Sequence, residues 1–228
     1  MAEAVKMEGP PVSGEAAKTP EKITLEGAYA TVEPLDPARH GESLWKEMGG
    51  AENAELWRYM HSGPFESREA FDAYLAARAV STDPLYFTVV DRATRRPGGH
   101  ATYLRIDAGQ RVVEVGSIVY TSAFQRTRAA TEAMYLMAKH AFEDLGYRRY
   151  EWKCNVLNEA SQRAAQRLGF SFEGVFRQHM IVKGRSRDTA WYAMLDYEWP
   201  ARRQEFERWL APDNFDEQGR QKTRLRHK

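Results

Sequence analysis

The segment from Phe124 to Gly174 constrains the fold more than any other part of this chain. It opens with a short loop of small and basic residues, Phe124-Gln125-Arg126-Thr127-Arg128-Ala129-Ala130. A stretch of helical period follows from Thr131 to Leu145, with Met134, Met137, Ala138, Ala141 and Leu145 on one face, the pattern of a helix buried along one side. The apolar-aromatic run Tyr147 to Cys154 reads as a strand. Asn158 then opens a second short helix, which stops at Leu168-Gly169-Phe170. Strand, loop, helix, strand and helix in this order put a helix N-terminus, with unpaired amides and a partial positive charge, where an anion can sit.

The rest of the chain supplies a sheet for that segment. Ile23 to Leu35 alternates imperfectly as a first strand, and Asp36 is placed to cap a helix carrying Leu44, Trp45 and Met48. Leu56 to Met60 predicts a second short helix. Ser67 to Val80 predicts a third, with Phe71, Tyr74, Leu75 and Ala79 at helical spacing. Leu85–Val90, Gly99–Ile106 and Val112–Tyr120 read as strands, and Phe172–Val182 and Thr189–Tyr197 as a hairpin around Lys183-Gly184-Arg185. Pro200 starts a last helix over Ala201–Leu210. Antiparallel strands before an alternating strand-helix region predict a mixed α/β fold whose sheet turns from antiparallel to partly parallel.

With 228 residues, 43% of them hydrophobic, the chain suits one large domain with tails. We expect a flexible leader over residues 1–21, rich in Ala, Pro, Gly, Glu and Lys, one domain over 22–211, and a polar, basic tail over 212–228. A net charge of +1 gives no global field and argues against nucleic acid. The local run Arg220, Lys222, Arg224, Arg226 and Lys228 reads as a solvated tail, a weak contact with RNA or ribosome being the minor alternative. The single cysteine, Cys154, excludes an intrachain disulfide and fits a reducing compartment, where it reads as buried and inert. No apolar run approaches the roughly 20 residues needed to cross a bilayer, and no secretory signal opens the chain. A cytoplasmic location without membrane contact is expected. The six histidines are scattered, so no metal is expected.

Three short patterns carry a family resemblance: Ala130-Thr131-Glu132-Ala133, Asn158-x-x-Ser161 and Leu168-Gly169-Phe170-x-x-Glu173-Gly174. On them, the chain from about Ile23 to Trp199 resembles the GNAT N-acetyltransferase superfamily, and most closely the branch containing ribosomal-protein alanine N-acetyltransferases. The resemblance implies a splayed mixed sheet flanked by helices, with the cofactor wedged between two central strands. It implies transfer of an acetyl group from acetyl-CoA, as co-substrate, to a primary amine by direct attack in a ternary complex. The acceptor would be a small-molecule amine or a protein N-terminus, and the protein a monomer or homodimer. An α-amino group, with a pKa of about 8 against about 10.4 for lysine, is the easier amine to neutralise. The alternative is an acyl-CoA-binding regulatory module with little or no transfer.

The resemblance also assigns residues. The family's phosphate-loop pattern, Gln/Arg-x-x-Gly-x-Gly/Ala, falls on Gln125, Arg126, Thr127, Arg128, Ala129 and Ala130, followed by Thr131, with Arg128 replacing the central glycine. A side chain there either turns away from the phosphates or adds charge-assisted hydrogen bonds to them. Ile118, Val119 and Tyr120 would offer backbone groups to the pantetheine, an N–H near Val119 facing the thioester carbonyl, and Gly116 would permit a bulge. Asn158 would contact the cofactor as well as cap its helix. Ser161 would bind near the sulfur and protonate the leaving thiolate, because the tyrosine many relatives use is here Ala165. Glu114 is either a general base acting through water or a surface carboxylate. His179 is a second, weaker base candidate, otherwise structural. Trp57, Tyr59, His61 and Phe65 belong either to an acceptor groove or to the core.

Overall fold

A computed structural model describes residues 9–12 and 14–226. The chain enters the sheet through β1 (Leu25–Glu26) and β2 (Ala30–Pro34), two short strands rather than the single one predicted. The break is made by a distant side chain. The buried Glu132 carboxylate accepts hydrogen bonds from the amides of Ala28 (2.9 Å), Tyr29 (2.5 Å) and Ala30 (2.7 Å). A Cβ on Gly27 would sit 2.4 Å from that carboxylate and would push it off these amides.

Helix α1 (Pro37–Met48) starts as expected, with Asp36 Oδ1 accepting from the amides of Ala38 and Arg39. A 3-10 turn, Ala51–Trp57, replaces the short helix expected nearby, and α2 (Arg68–Ala79) follows with Ser67 as its cap. Then come β3 (Leu85–Asp91), β4 (Pro97–Asp107) and β5 (Val112–Tyr120). Helix α3 (Arg128–Lys139) runs into a π-helical turn, His140–Asp144. After it lie β6 (Arg149–Asn155), α4 (Glu159–Arg167), β7 (Ser171–Val182), β8 (Arg185–Leu195) and α5 (Trp199–Leu210). Lys183 and Gly184 both take positive φ, +50° and +72°, the two-residue turn whose twist suits a hairpin.

The strands form one sheet in the order β1-β2-β3-β4-β5-β6-β8-β7. Every neighbouring pair is antiparallel except β5–β6. That parallel pairing covers only Val112↔Arg149, Val113↔Tyr150 and Glu114↔Glu151. Beyond Glu114 the facing edges of β5 and β6 are unpaired, and a wedge opens in the middle of the sheet. Two apolar layers hold it in place. On one face α3 and α5 pack Met134, Met137 and Phe206 into a cluster with Val113, Val115, Tyr150 and Trp152. On the other, α1 and α2 pack Leu44, Met48, Phe71 and Leu75 with Tyr86 and Val119.

Parts of the expected leader and tail lie on the body. Ala17 is buried, its amide bonded to Ala108 O and that of Lys18 to Leu145 O. Leu225 is 5% exposed within the core cluster, and buried Asn214 ties Thr223 to Trp209 O. Composition misses this because a few backbone bonds and one apolar side chain suffice to dock a polar segment. No helix among the described residues is long and apolar enough to cross a membrane.

Candidate active site

The wedge begins with a bulge. The β4–β5 register shifts between Thr102↔Gly116 and His100↔Val119, and Ser117 takes φ +46°. The left-handed residue is therefore Ser117, not Gly116. Gly116 instead clears space: a Cβ there would lie 3.0 Å from Glu114 Oε1 and from Leu104 Cδ2. Thr121 N–H bonds to Gly98 O, and a Cβ on Gly99 would come within 2.1 Å of Val119 O. By the two-residue alternation of a strand, the backbone of Val119 then faces β4, and the groups turned to the wedge are those of Ile118 and Tyr120. Within the expected set Ile118, Val119 and Tyr120, the groups at the opening are thus those flanking Val119. Gln125 Nε2 donates to Tyr120 O at 2.9 Å and ties the following loop to this edge.

Helix α3 starts at Arg128, three residues before the predicted Thr131, because Thr127 caps it: Thr127 Oγ1 accepts from Ala130 N–H at 3.0 Å. The first full helical bond is Thr131 N–H to Thr127 O. Among the described residues the amides of Arg126, Arg128 and Ala129 have no acceptor, the arrangement that receives an anion. Arg126 takes φ +64°, whereas Arg128 is ordinary helix, so the position where relatives keep glycine needs none here. The Arg128 guanidinium lies 3.8 Å over the Tyr29 ring and 4.1 Å over Phe215, sandwiched away from the free amides. We expect Arg128→Ala to cost about 1–2 kcal/mol in denaturant unfolding, from the lost cation–π and stem packing. The same variant should change the coenzyme A dissociation constant less than about threefold. A large loss of affinity in calorimetry would place Arg128 on the phosphates instead. Thr131 offers nothing further, since its hydroxyl donates to Thr127 O and accepts from Arg167 Nη1.

Across the wedge, Asn158 Oδ1 accepts Ser161 N–H at 3.1 Å and caps α4. Trp152 Nε1 donates to Ser161 Oγ at 3.0 Å. With its oxygen engaged as acceptor, the Ser161 hydroxyl has its own proton to donate, directed at rest toward Cys154. Cys154 lies alongside, and burial raises its thiol above the ordinary value against the opposing Ser161 hydrogen bond. It stays protonated and inert.

Glu114 is no surface carboxylate. It is 4% exposed, 2.7 Å from Lys153 Nζ and 3.6 Å from Arg105 Nε. Burial lifts its carboxyl to about 7, with the two cations opposing but not cancelling the shift. Lys153 Nζ also sits 4.5 Å over Trp191 and Arg105 5.5 Å over the same ring. On this side the segment after Ala51–Trp57 closes in: Tyr59 OH donates to Leu157 O at 2.9 Å, and Arg187 Nη1 lies 3.3 Å from His61 Nε2. From the hairpin tip, Lys183 Nζ donates to Trp57 O at 2.9 Å. Trp57 and Phe65 are core, Trp57 fully buried with the two rings edge-on at 4.9 Å, whereas Tyr59 and His61 lie outside that cluster, against Leu157 and Arg187. His179 bonds Thr189 Oγ1 at 3.0 Å, and burial with the Lys153 and Arg187 charges lowers its pKa. Lys153, Arg187 and Trp152 were not singled out from sequence. One signal was present: β6 alternates Tyr150, Trp152 and Cys154 with charged Glu151 and Lys153, although a central strand has no solvent face.

A model of the acetyltransferase (GNAT) domain matches residues 31–171. The crystal structure of a GCN5-related N-acetyltransferase from Brucella melitensis is 44% identical, covers 92% of this chain and 95% of its own, and superposes with a TM-score of 0.90. That of a probable GNAT-family acetyltransferase from Chromobacterium violaceum ATCC 12472 is 36% identical over 88% of this chain and 100% of its own, with a TM-score of 0.79. Among curated proteins, "Putative ribosomal N-acetyltransferase YdaF" of Bacillus subtilis is 31% identical over 94 residues, 41% of this chain. That match spans about half (51%) of the length of the curated relative. The splayed sheet, the amide-lined start of α3 and a domain match running from β2 to the first residue of β7 agree, and the chain belongs to the GNAT acetyltransferase family.

Proposed function

We propose that this acetyltransferase moves the acetyl group of acetyl-CoA to a primary amine by direct attack while both substrates are bound. The observation that carries the reading is the wedge between β5 and β6, with free amides at the start of α3 on one side and buried Glu114 on the other. The diphosphate would rest on the amides of Arg126, Arg128 and Ala129, and the pantetheine would run along the Ile118 and Tyr120 backbone toward Ser161 and Asn158. Glu114, through water, takes a proton from the acceptor ammonium. The neutral nitrogen then bonds to the thioester carbonyl carbon. As the carbon–sulfur bond breaks, the sulfur carries the electron pair away and takes the Ser161 hydroxyl proton, which the nitrogen proton released on amide formation replaces by way of water. Both protein N-termini and small amines remain acceptors in this reading; the name of the Bacillus relative, a ribosomal N-acetyltransferase, points to a ribosomal acceptor.

A thiol-release assay with acetyl-CoA against small amines, aminoglycosides, polyamines and short peptides tests it. Binding of acetyl-CoA without thiol release across the whole panel would instead support a regulatory acyl-CoA-binding module. Two sequence features, Arg128 in the phosphate loop and Ala165 in place of a tyrosine, speak for that module; the stacking of Arg128 between Tyr29 and Phe215 weakens the first and leaves the second. Ser161→Ala is expected to lower kcat about 100-fold, the low end for a positioned proton donor, with a smaller effect on coenzyme A affinity. Equal losses in both would make Ser161 a binding and capping residue only.

A further inference from the structure

Arg187 is 9% exposed, and among the described residues no carboxylate lies within ion-pair distance of it. Its Nη1 faces His61 Nε2 at 3.3 Å, and its Nε has no hydrogen-bond partner. His61 does not offset the charge: burial and the cations of Arg187, Lys183 and Lys153 hold its pKa down, so the ring is a neutral acceptor. The carboxylates nearby are taken. Glu114 serves Lys153 and Arg105, and Glu151 binds Arg149 at 2.7 Å. The acceptor side of the wedge thus holds a buried guanidinium without a counterion, flanked by Lys153, Arg105 and Lys183. An unpaired buried charge is costly, and a bound anion relieves the cost.

We propose that the acceptor amine carries its own carboxylate, which docks on Arg187 while the amine faces Glu114. This deepens the transfer reading above and rests on it. The same cluster of cations repels polyamines and aminoglycosides, so discrimination comes from repulsion as well as attraction. It also favours the uncharged, nucleophilic form of the amine. The shared chemistry, a primary amine with a nearby carboxylate, occurs in free amino carboxylates and in peptides with an acidic residue next to the N-terminus.

Two matched acceptor pairs separate these sources in the thiol-release assay: alanine against alaninamide, and Ala-Asp-Ala amide against Ala-Asn-Ala amide. Within at least one pair the carboxylate-bearing acceptor should have a kcat/KM about 10- to 100-fold higher, as expected for a charge-assisted hydrogen bond. The pair that shows it identifies the source. Arg187→Met should collapse that ratio and Arg187→Lys should keep part of it, with coenzyme A affinity as the check on folding. Should Arg187→Met fail to fold, the wild-type ratio and its decline with salt decide the matter. Thiol release at equal rates within both pairs, or a ratio that survives in folded Arg187→Met, overturns the proposal and leaves the transfer reading standing. Absence of thiol release with every acceptor overturns both.

Discussion

Glu114→Gln should lower kcat/KM by about 10²- to 10⁴-fold, the range for loss of a positioned general base, with the fold retained. Glutamine keeps the shape of the buried side chain and its contact with Lys153, but it cannot take a proton. The pH profile gives the sharper test. Because burial raises the Glu114 carboxyl to about 7, it is protonated and idle below that pH and ionised above it. Wild-type kcat/KM should therefore climb with pH through an inflection near 7, and the variant should lack that inflection. Lys153 Nζ, 2.7 Å away, stabilises the carboxylate form, so Lys153→Met should move the inflection to higher pH. An inflection near 7 that persists in Glu114→Gln would assign the base to another group, His179 being the first to examine.

Glu132→Ala should produce the largest loss of stability among the changes considered, about 3–6 kcal/mol in denaturant unfolding, because three amides lose a charged acceptor at once. Those amides belong to Ala28, Tyr29 and Ala30, so the variant also detaches the β1–β2 turn from α3. Tyr29 stacks on Arg128 at the start of that helix, so the damage reaches the amide cradle. A measured loss below about 1 kcal/mol would mean that water replaces the carboxylate and that the strut is unimportant. From sequence, Glu132 is part of a pattern associated with the phosphate loop. In the structure its carboxylate holds the β1–β2 turn at the sheet edge.

The sequence by itself determined the elements whose signals are local. Asp36, Ser67 and Asn158 cap helices because their side chains accept amides two or three residues ahead. Lys183-Gly184 turns a hairpin because a positive φ is needed at both positions. Helical period and strand alternation follow from the same short-range geometry, and the family patterns at Thr131 and Ser161 ride on them.

Tertiary structure decided what depends on groups far apart in the chain. Burial of Glu114 against Lys153 follows from the parallel pairing of β5 with β6, and the sequence displays neither strand's neighbour. The Arg128 guanidinium is stacked by two rings, Tyr29 and Phe215, from far-apart parts of the chain, a placement no local pattern displays. Arg187 became a buried, unneutralised cation only when the hairpin folded against the segment carrying His61. A backbone hydrogen bond within a turn is written in neighbouring residues. The charge state and exposure of a side chain are set by whichever distant segments exclude water around it.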